Sequence, residues 1–210
     1  MADTPTIYVL AGTNGAGKSS IAGAAFRAHG ADYFNPDEVA RRILDANPGI
    51  TVGEANGAAW QEGRRLLERA IAERLTYAFE TTLGGSTITE LLEGAARAGI
   101  EVRVWFVGLD GPELHLARVR ARVARGGHDI PEARIRERYH HSRTNLIRLL
   151  PRLTELRLYD NSVEANPHAG VAPEPVLVLH VVRGRIVSTC ELERTPDWAR
   201  PIVAAVMRGR

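Results

Sequence analysis

Apolar residues fall in two rhythms along this chain. Short, strongly apolar runs, Ile7 to Ala11 and Val102 with Val104 to Val107, have the length and branched content of buried strands. Elsewhere apolar positions recur every three or four residues, most plainly over Gly53 to Leu75, where Ala59, Leu66, Leu67, Ala70, Ile71 and Leu75 share one helical face. Proline and glycine punctuate the rest. Ala31 to Phe34 reads as a short strand followed by Asn35-Pro36-Asp37-Glu38, a helix N-cap with proline in the first turn. Thr76 to Glu80 reads as the next strand, then come a helix from Ser86 to Gly99, a strand over Glu101 to Leu109, a helix from Pro112 to Gly126-Gly127 and another from Pro131 to Leu150. Leu156 to Tyr159 returns as a strand, and Val176 to Val182 pairs with Arg185 to Cys190 as a hairpin through Arg183-Gly184. Asn161 to Pro175, rich in proline, reads as a surface loop. Strands alternating with helices predict a parallel sheet covered on both faces, with ligands bound beyond the C-terminal strand ends.

Composition narrows this picture. A chain of 210 residues, 44% hydrophobic, supports one substantial α/β core rather than two. Residues 1–195 are therefore expected to form one domain with a helical lid at roughly 112–150, leaving 196–210 as a C-terminal tail. Cys190 is the only cysteine, so no internal disulfide forms, and nothing near it resembles a metal site. No apolar run approaches the roughly 20 residues that span a bilayer, and no leader pattern opens the chain, so the expectation is a cytoplasmic protein without a membrane partner. A net charge of +2 argues against a general nucleic-acid binder.

One lysine stands among 26 arginines, and it ends the run Gly12-Thr13-Asn14-Gly15-Ala16-Gly17-Lys18-Ser19. That spacing is a P-loop, whose successive backbone N–H groups wrap nucleotide phosphates. Glycines allow the backbone to turn through positive φ and approach an anion, and a compact ammonium fits between phosphates where a planar guanidinium is too wide. Gly12 through Ser20 are accordingly the expected cofactor-binding run for ATP or GTP, with the Ser19 hydroxyl as the Mg²⁺ ligand. A strand before and a helix from Ser19 to His29 after complete the context. The fold class expected is α/β, a P-loop NTPase three-layer sandwich with a mainly parallel five-stranded sheet, a helical lid and a C-terminal β-hairpin.

A P-loop does not by itself separate a kinase from a motor or a switch. A kinase acting on an alcohol also needs a carboxylate to take the hydroxyl proton and cations to spread the transferred charge. Asp37, opening a helix just after a strand, is the candidate base; its position equally suits an acid that offsets the helix dipole. Glu80, Thr81 and Thr82 place an acid and two hydroxyls at a strand end before Gly84-Gly85, a cluster suited to a polar substrate or to capping a turn. Asp110 also ends a strand, which suits an acid that orients Mg²⁺ through water, but the favoured expectation is that it caps the helix that Pro112 begins. Ten arginines lie between Arg118 and Arg152 against only Asp129, Glu132 and Glu137. Arg118, Arg122 and Arg125 share one helical face, Arg134 and Arg138 another, and the Gly126-Gly127-His128 hinge between them suits a lid closing on phosphates. His128 is assigned a positioning role at the substrate.

Gly12 to Ser19, Asn35-Pro36-Asp37-Glu38, Phe79 to Leu83, Gly126 to Pro131 with Arg138, and Tyr159 to Ser162 resemble the zeta-toxin-like small P-loop kinases over about residues 6 to 162. The resemblance implies a five-stranded nucleoside-kinase-type sheet, ATP with Mg²⁺ as donor, Asp37 as catalytic base, and Lys18, Arg122 and Arg138 in catalytic contact with the phosphates. It implies Glu80 and Thr82 as substrate contacts, a lid carrying phosphate-binding arginines, and adenine near Tyr159 to Ser162; Thr81 and His128 join the candidate substrate contacts, and Arg118, Arg125 and Asn161 the candidate cofactor contacts. It further implies a small-molecule hydroxyl acceptor, UDP-N-acetylglucosamine above all; an antitoxin protein is a candidate partner that the residues themselves do not reveal. In that family the segment matching Thr82-Leu83 continues into an arginine; here Gly84 and Gly85 follow. Kinases of another alcohol, such as an antibiotic or a nucleoside, form the alternative. A nucleotide-dependent switch or nucleic-acid-associated ATPase forms a second class, disfavoured by the lack of aromatics among the arginines from Arg118 to Arg138.

Overall fold

A computed structural model describes residues 4–18, 33–127, 129–163 and 174–209. The apolar runs pair into one sheet of strands β1 (Thr6–Ala11), β2 (Tyr33–Phe34), β3 (Tyr77–Thr81), β4 (Glu101–Gly108), β5 (Glu155–Asp160), β6 (Val176–Val182) and β7 (Arg185–Thr189), in the order β2-β3-β1-β4-β5-β6-β7. The first five in that order run parallel, and the β6–β7 hairpin extends the same sheet antiparallel from β5. The five-stranded parallel sheet expected from the sequence is thus present, and the hairpin is joined to it rather than separate.

Helices α1 (Pro36–Ala46), α2 (Val52–Ala72), α3 (Ser86–Arg97), α4 (Gly111–Val123), α5 (Glu132–Leu149) and α6 (Arg200–Arg208) connect and cover these strands. Local chemistry sets several of their starts. Asn35 caps α1 by accepting from the Asp37 and Glu38 amides, and Thr51 with Glu54 forms a reciprocal capping box on α2. Asp110 occupies the N-cap position of α4 but its side chain makes no capping bond, contrary to expectation. Its own N–H donates to the Ser162 hydroxyl, which in turn donates to Asp160. The turn after β4 is therefore tied to the end of β5 rather than to its own helix.

One face of the sheet carries the main core. Ile7, Val9, Val102, Val104, Phe106 and Leu158 meet Leu67 of α2, Leu92 of α3, and Leu146 and Leu149 of α5. The residues expected as a tail belong to this core as well. Trp198, Ala199, Ile202 and Val203 are fully or nearly fully buried, and the Trp198 indole N–H donates to Asp160 at 2.8 Å. Three apolar side chains on one face of a nine-residue helix, next to a buried tryptophan, are enough to dock it, and their partners Phe106 and Asp160 lie far away in sequence. On the opposite face Leu10, Ala78, Val107 and Leu109 pack with Tyr8, Tyr33, Trp105 and Leu114. The helix expected from Ser19 to His29 lies outside the described residues.

Candidate active site

Strand register gathers the site at one end of the sheet. Leu10 of β1 lies beside Glu80 of β3, and Phe79 lies beside Phe34 of β2, so the chain leaves β1 as the P-loop next to Glu80, with Asn35 adjacent. Lys18 folds back over its own loop, where its ammonium donates to the Gly12 carbonyl at 2.8 Å and the Thr13 carbonyl at 3.4 Å. It also stands 3.5 Å from Glu80, in an ion pair whose two side chains are both more than nine-tenths buried. The other Glu80 oxygen accepts from the Tyr33 hydroxyl at 2.8 Å and from the Asn35 amide at 3.4 Å. A buried side chain so surrounded by donors is held in one place.

Asp37 behaves differently. It sits in the first turn of α1, half exposed, 3.6 Å from a guanidinium nitrogen of Arg122 on α4. An exposed pair at that distance is weak and opens easily, so the Asp37 carboxylate is available to a partner arriving from solvent. The contact also shows that α4 reaches across to α1 over the P-loop side of the sheet. Thr81 and Thr82 hydroxyls accept from the Leu83 and Gly84 amides, capping the turn that follows β3. Each hydroxyl also carries a proton it can donate. Gly84 permits a close approach: a Cβ there would stand 2.7 Å from Cγ of Arg138 on α5. Arg138 reaches on to donate to the Asn14 side-chain oxygen at 2.8 Å. Burial, and after it the neighbouring Arg134, lowers the pKa of Arg138 from its ordinary value, so a negatively charged ligand beside it would relieve two costs at once.

The other expected residues divide. Arg118 donates to the Asn161 carbonyl at 2.8 Å, and the buried Asn161 amide donates to the Ala16 carbonyl of the P-loop at 2.9 Å. Asn161 is thus brought to the P-loop backbone. Arg125 is exposed and donates to the Ala121 carbonyl of its own helical turn. Ser19, Ser20 and His128 lie outside the described residues.

Several residues that hold the site escape a reading by motif. His115 of α4 is 1% exposed, with Nδ1 2.8 Å from the Asn14 carbonyl and its ring edge-on to Tyr139. Burial first, then the charges of Lys18, Arg118 and Arg143, depress its pKa from 6.5 to about 4, against the raising effect of the Asn14 bond. The imidazole is neutral at physiological pH. Ser142, fully buried on α5, shares a hydrogen bond with the Thr13 hydroxyl at 3.2 Å. Asn145 of the same helix donates to the Leu83 carbonyl at 2.9 Å and the Gly85 carbonyl at 3.2 Å. A signal existed for Ser142: it interrupts the apolar stripe of Tyr139, Leu146 and Leu149 at helical spacing, and a polar residue there must find a buried partner.

A P-loop kinase fold is defined by this sheet order and phosphate-binding turn. The family model for the zeta toxin matches residues 1–166, and the chain belongs to the zeta toxin family. An uncharacterized protein of Haemophilus influenzae is 32% identical over 132 residues, which cover 61% of this chain and 88% of that protein. Among solved structures, the AvrRxo1-ORF1:-ORF2 complex with ATP superposes with a TM-score of 0.64 at 18% identity, covering 98% of this chain and 64% of that one. The chain therefore spans somewhat under two thirds of that relative's length. A structure from the PezAT chromosomal toxin–antitoxin system of Streptococcus pneumoniae gives a TM-score of 0.58 at 15% identity, over 82% of this chain and 75% of that one. Both are similar to this chain in fold. No helix among the described residues is long and apolar enough to cross a membrane.

Proposed function

We propose that this chain transfers the γ-phosphoryl group of ATP to a hydroxyl of a small molecule, with UDP-N-acetylglucosamine as the acceptor to test first. The observation that carries the reading is the meeting, at one end of the sheet, of a P-loop lysine with a carboxylate-rich strand end: Lys18 beside Glu80, and Asp37 within reach of Arg122. The glycine-turned loop and its lysine have the donor chemistry a triphosphate requires. Ser19 is the residue the motif offers to Mg²⁺, which when bound would neutralise phosphate charge.

In this reading Asp37 leaves Arg122 and accepts the proton of the acceptor hydroxyl. That oxygen forms the new bond to the γ-phosphorus as the bridge to the β-phosphate breaks, releasing ADP. Arg122, Arg138 and Lys18 balance the charge on the transferred group. Glu80, held by Tyr33 and Asn35, and the hydroxyls of Thr81 and Thr82 orient the acceptor. The test is incubation with labelled ATP and UDP-N-acetylglucosamine. A labelled sugar nucleotide is the expected product, and ATP uptake without it would leave the kinase reading in place while removing this acceptor.

A second acceptor class, an antibiotic or a nucleoside, is favoured by one observation. Where the family continues into an arginine, this chain has Gly84 with the Arg138 stem lying across it, which changes the wall of the acceptor site. The structural relatives solved as a two-protein complex and from a toxin–antitoxin system support a protein antitoxin as partner. Co-purification with the product of an adjacent small gene tests that.

A further inference from the structure

We propose that His115 and Asn161 are positioning residues that grip two carbonyls of the P-loop from behind and so aim its amides at the phosphates. The inference deepens the preceding reading, since it rests on the loop being a nucleotide site.

The geometry begins with the His115 tautomer. A carbonyl can only accept, so Nδ1, 2.8 Å from the Asn14 oxygen, carries the proton. Nε2 is then a bare acceptor, and it is buried without a hydrogen-bond partner among the described residues. In a trans peptide the carbonyl and the following N–H point in opposite directions. With the Asn14 oxygen turned back to His115, the Gly15 N–H is turned away from α4. The same logic applies one peptide pair further on. The Ala16 oxygen is held by the Asn161 amide at 2.9 Å, which turns the Gly17 N–H outward from that residue. Two amides spaced by one residue, those of Gly15 and Gly17, are thereby turned away from the side chains that grip the loop.

The glycines fit this account. Gly15 and Gly17 have φ of +84° and +83°. A Cβ on Gly15 would stand 2.8 Å from the His115 carbonyl oxygen, and one on Gly17 would stand 2.5 Å from the Asn161 amide nitrogen. Each glycine therefore makes room for the grip itself as well as permitting the turn. The two grips share a support. Arg118, one helical turn beyond His115, donates to the Asn161 carbonyl, and the Asn161 N–H donates to the Gly108 carbonyl at the end of β4. Helix α4 thus braces both contacts, and the anion site is arranged before any nucleotide arrives.

The test compares wild type with His115→Phe, His115→Asn and Asn161→Leu, each confirmed as folded by thermal melting. Calorimetry measures the affinity for ATP and for inorganic tripolyphosphate, a probe with no base or ribose. His115→Phe keeps the ring and loses the donor; the expected result is about tenfold weaker binding of both ligands. His115→Asn places an amide donor where Nδ1 stood and restores most of that loss, which a merely structural role would not predict. Asn161→Leu should weaken both ligands by a similar factor. Two results overturn the inference: affinities within twofold of wild type for the donor-less variants, or a loss for ATP that spares tripolyphosphate, which would move these residues to the base or ribose. If wild type binds neither ligand, the nucleotide reading falls first and this one with it. A separate readout needs no variant. The imidazole nitrogen spectrum of the whole protein should show Nδ1 protonated and Nε2 bare at neutral pH, and the opposite tautomer would overturn the grip on Asn14.

Discussion

The two halves of the site are built to different standards of rigidity. On the P-loop side nearly every polar group is tied: Lys18 to two carbonyls and Glu80, Asn14 to His115 and Arg138, Thr13 to Ser142, and Ala16 to Asn161. On the α1 side Asp37 is half exposed, and its carboxylate stands in a 3.6 Å ion pair across to Arg122. The difference matches the work proposed for each half. An anion site gains from donors fixed in advance, because no reorganisation is then spent on binding. A base that must meet a variable acceptor, and then receive a proton, gains from a partner it can release.

That contrast can be broken most sharply at Asp37. Asp37→Asn should lower the turnover number by about 10²- to 10⁴-fold, the range for loss of a general base, while calorimetry finds ATP affinity nearly unchanged. Undiminished transfer would remove Asp37 as the base. The fixed half predicts a dependence of stability on pH. His115 has a folded pKa of about 4 against 6.5 ordinarily, so the unfolded chain binds the proton more readily between those values. Stability should be full above about pH 6.5 and decline as pH falls toward 4, by on the order of 3 kcal/mol, with His115→Phe flattening the slope in urea titrations.

Lys18→Arg tests the ammonium itself. The planar group does not fit between the Gly12 and Thr13 carbonyls and Glu80, and ATP affinity should fall by about ten- to a hundredfold. The smallest expected effect concerns the loop after β3. Asn145→Leu removes the donor that holds the Leu83 and Gly85 carbonyls, and should raise the acceptor KM by about three- to tenfold while the ATP KM stays constant. Equal changes in both constants would show that the two halves of the site are not independent.

Much of this architecture was legible in the residues. Ile7 to Ala11 and Glu101 to Leu109 read as buried strands because parallel strands covered on both faces are predominantly apolar, as Val102 and Val104 to Val107 are here. The P-loop announced itself by spacing, and the α1 cap by Asn35-Pro36. The parts that were not legible share a cause. Trp198 and α6 read as a tail because their burial depends on a groove formed by distant elements, with Phe106 and Asp160 as partners. His115 sits in an arginine-rich helix that reads as a solvated face, yet the helix is turned so that this one ring is buried against the P-loop. Asn161 is expected to bind the cofactor, and its side chain also holds the Ala16 carbonyl of the loop, a contact that no local spacing signals.

The amino-acid sequence on its own determined the order of strands and helices, the phosphate-binding turn and the identity of the acids and cations that gather there, because each follows from local spacing and side-chain chemistry. Tertiary structure alone decided which of those side chains meet. Strand register set Glu80 beside Lys18, and the packing of α4 and α5 set His115, Arg138 and Ser142 on the loop. Hydrogen bonds act over about 3 Å, and contacts between residues a hundred positions apart are created by the closing of the core, to which local pattern is blind.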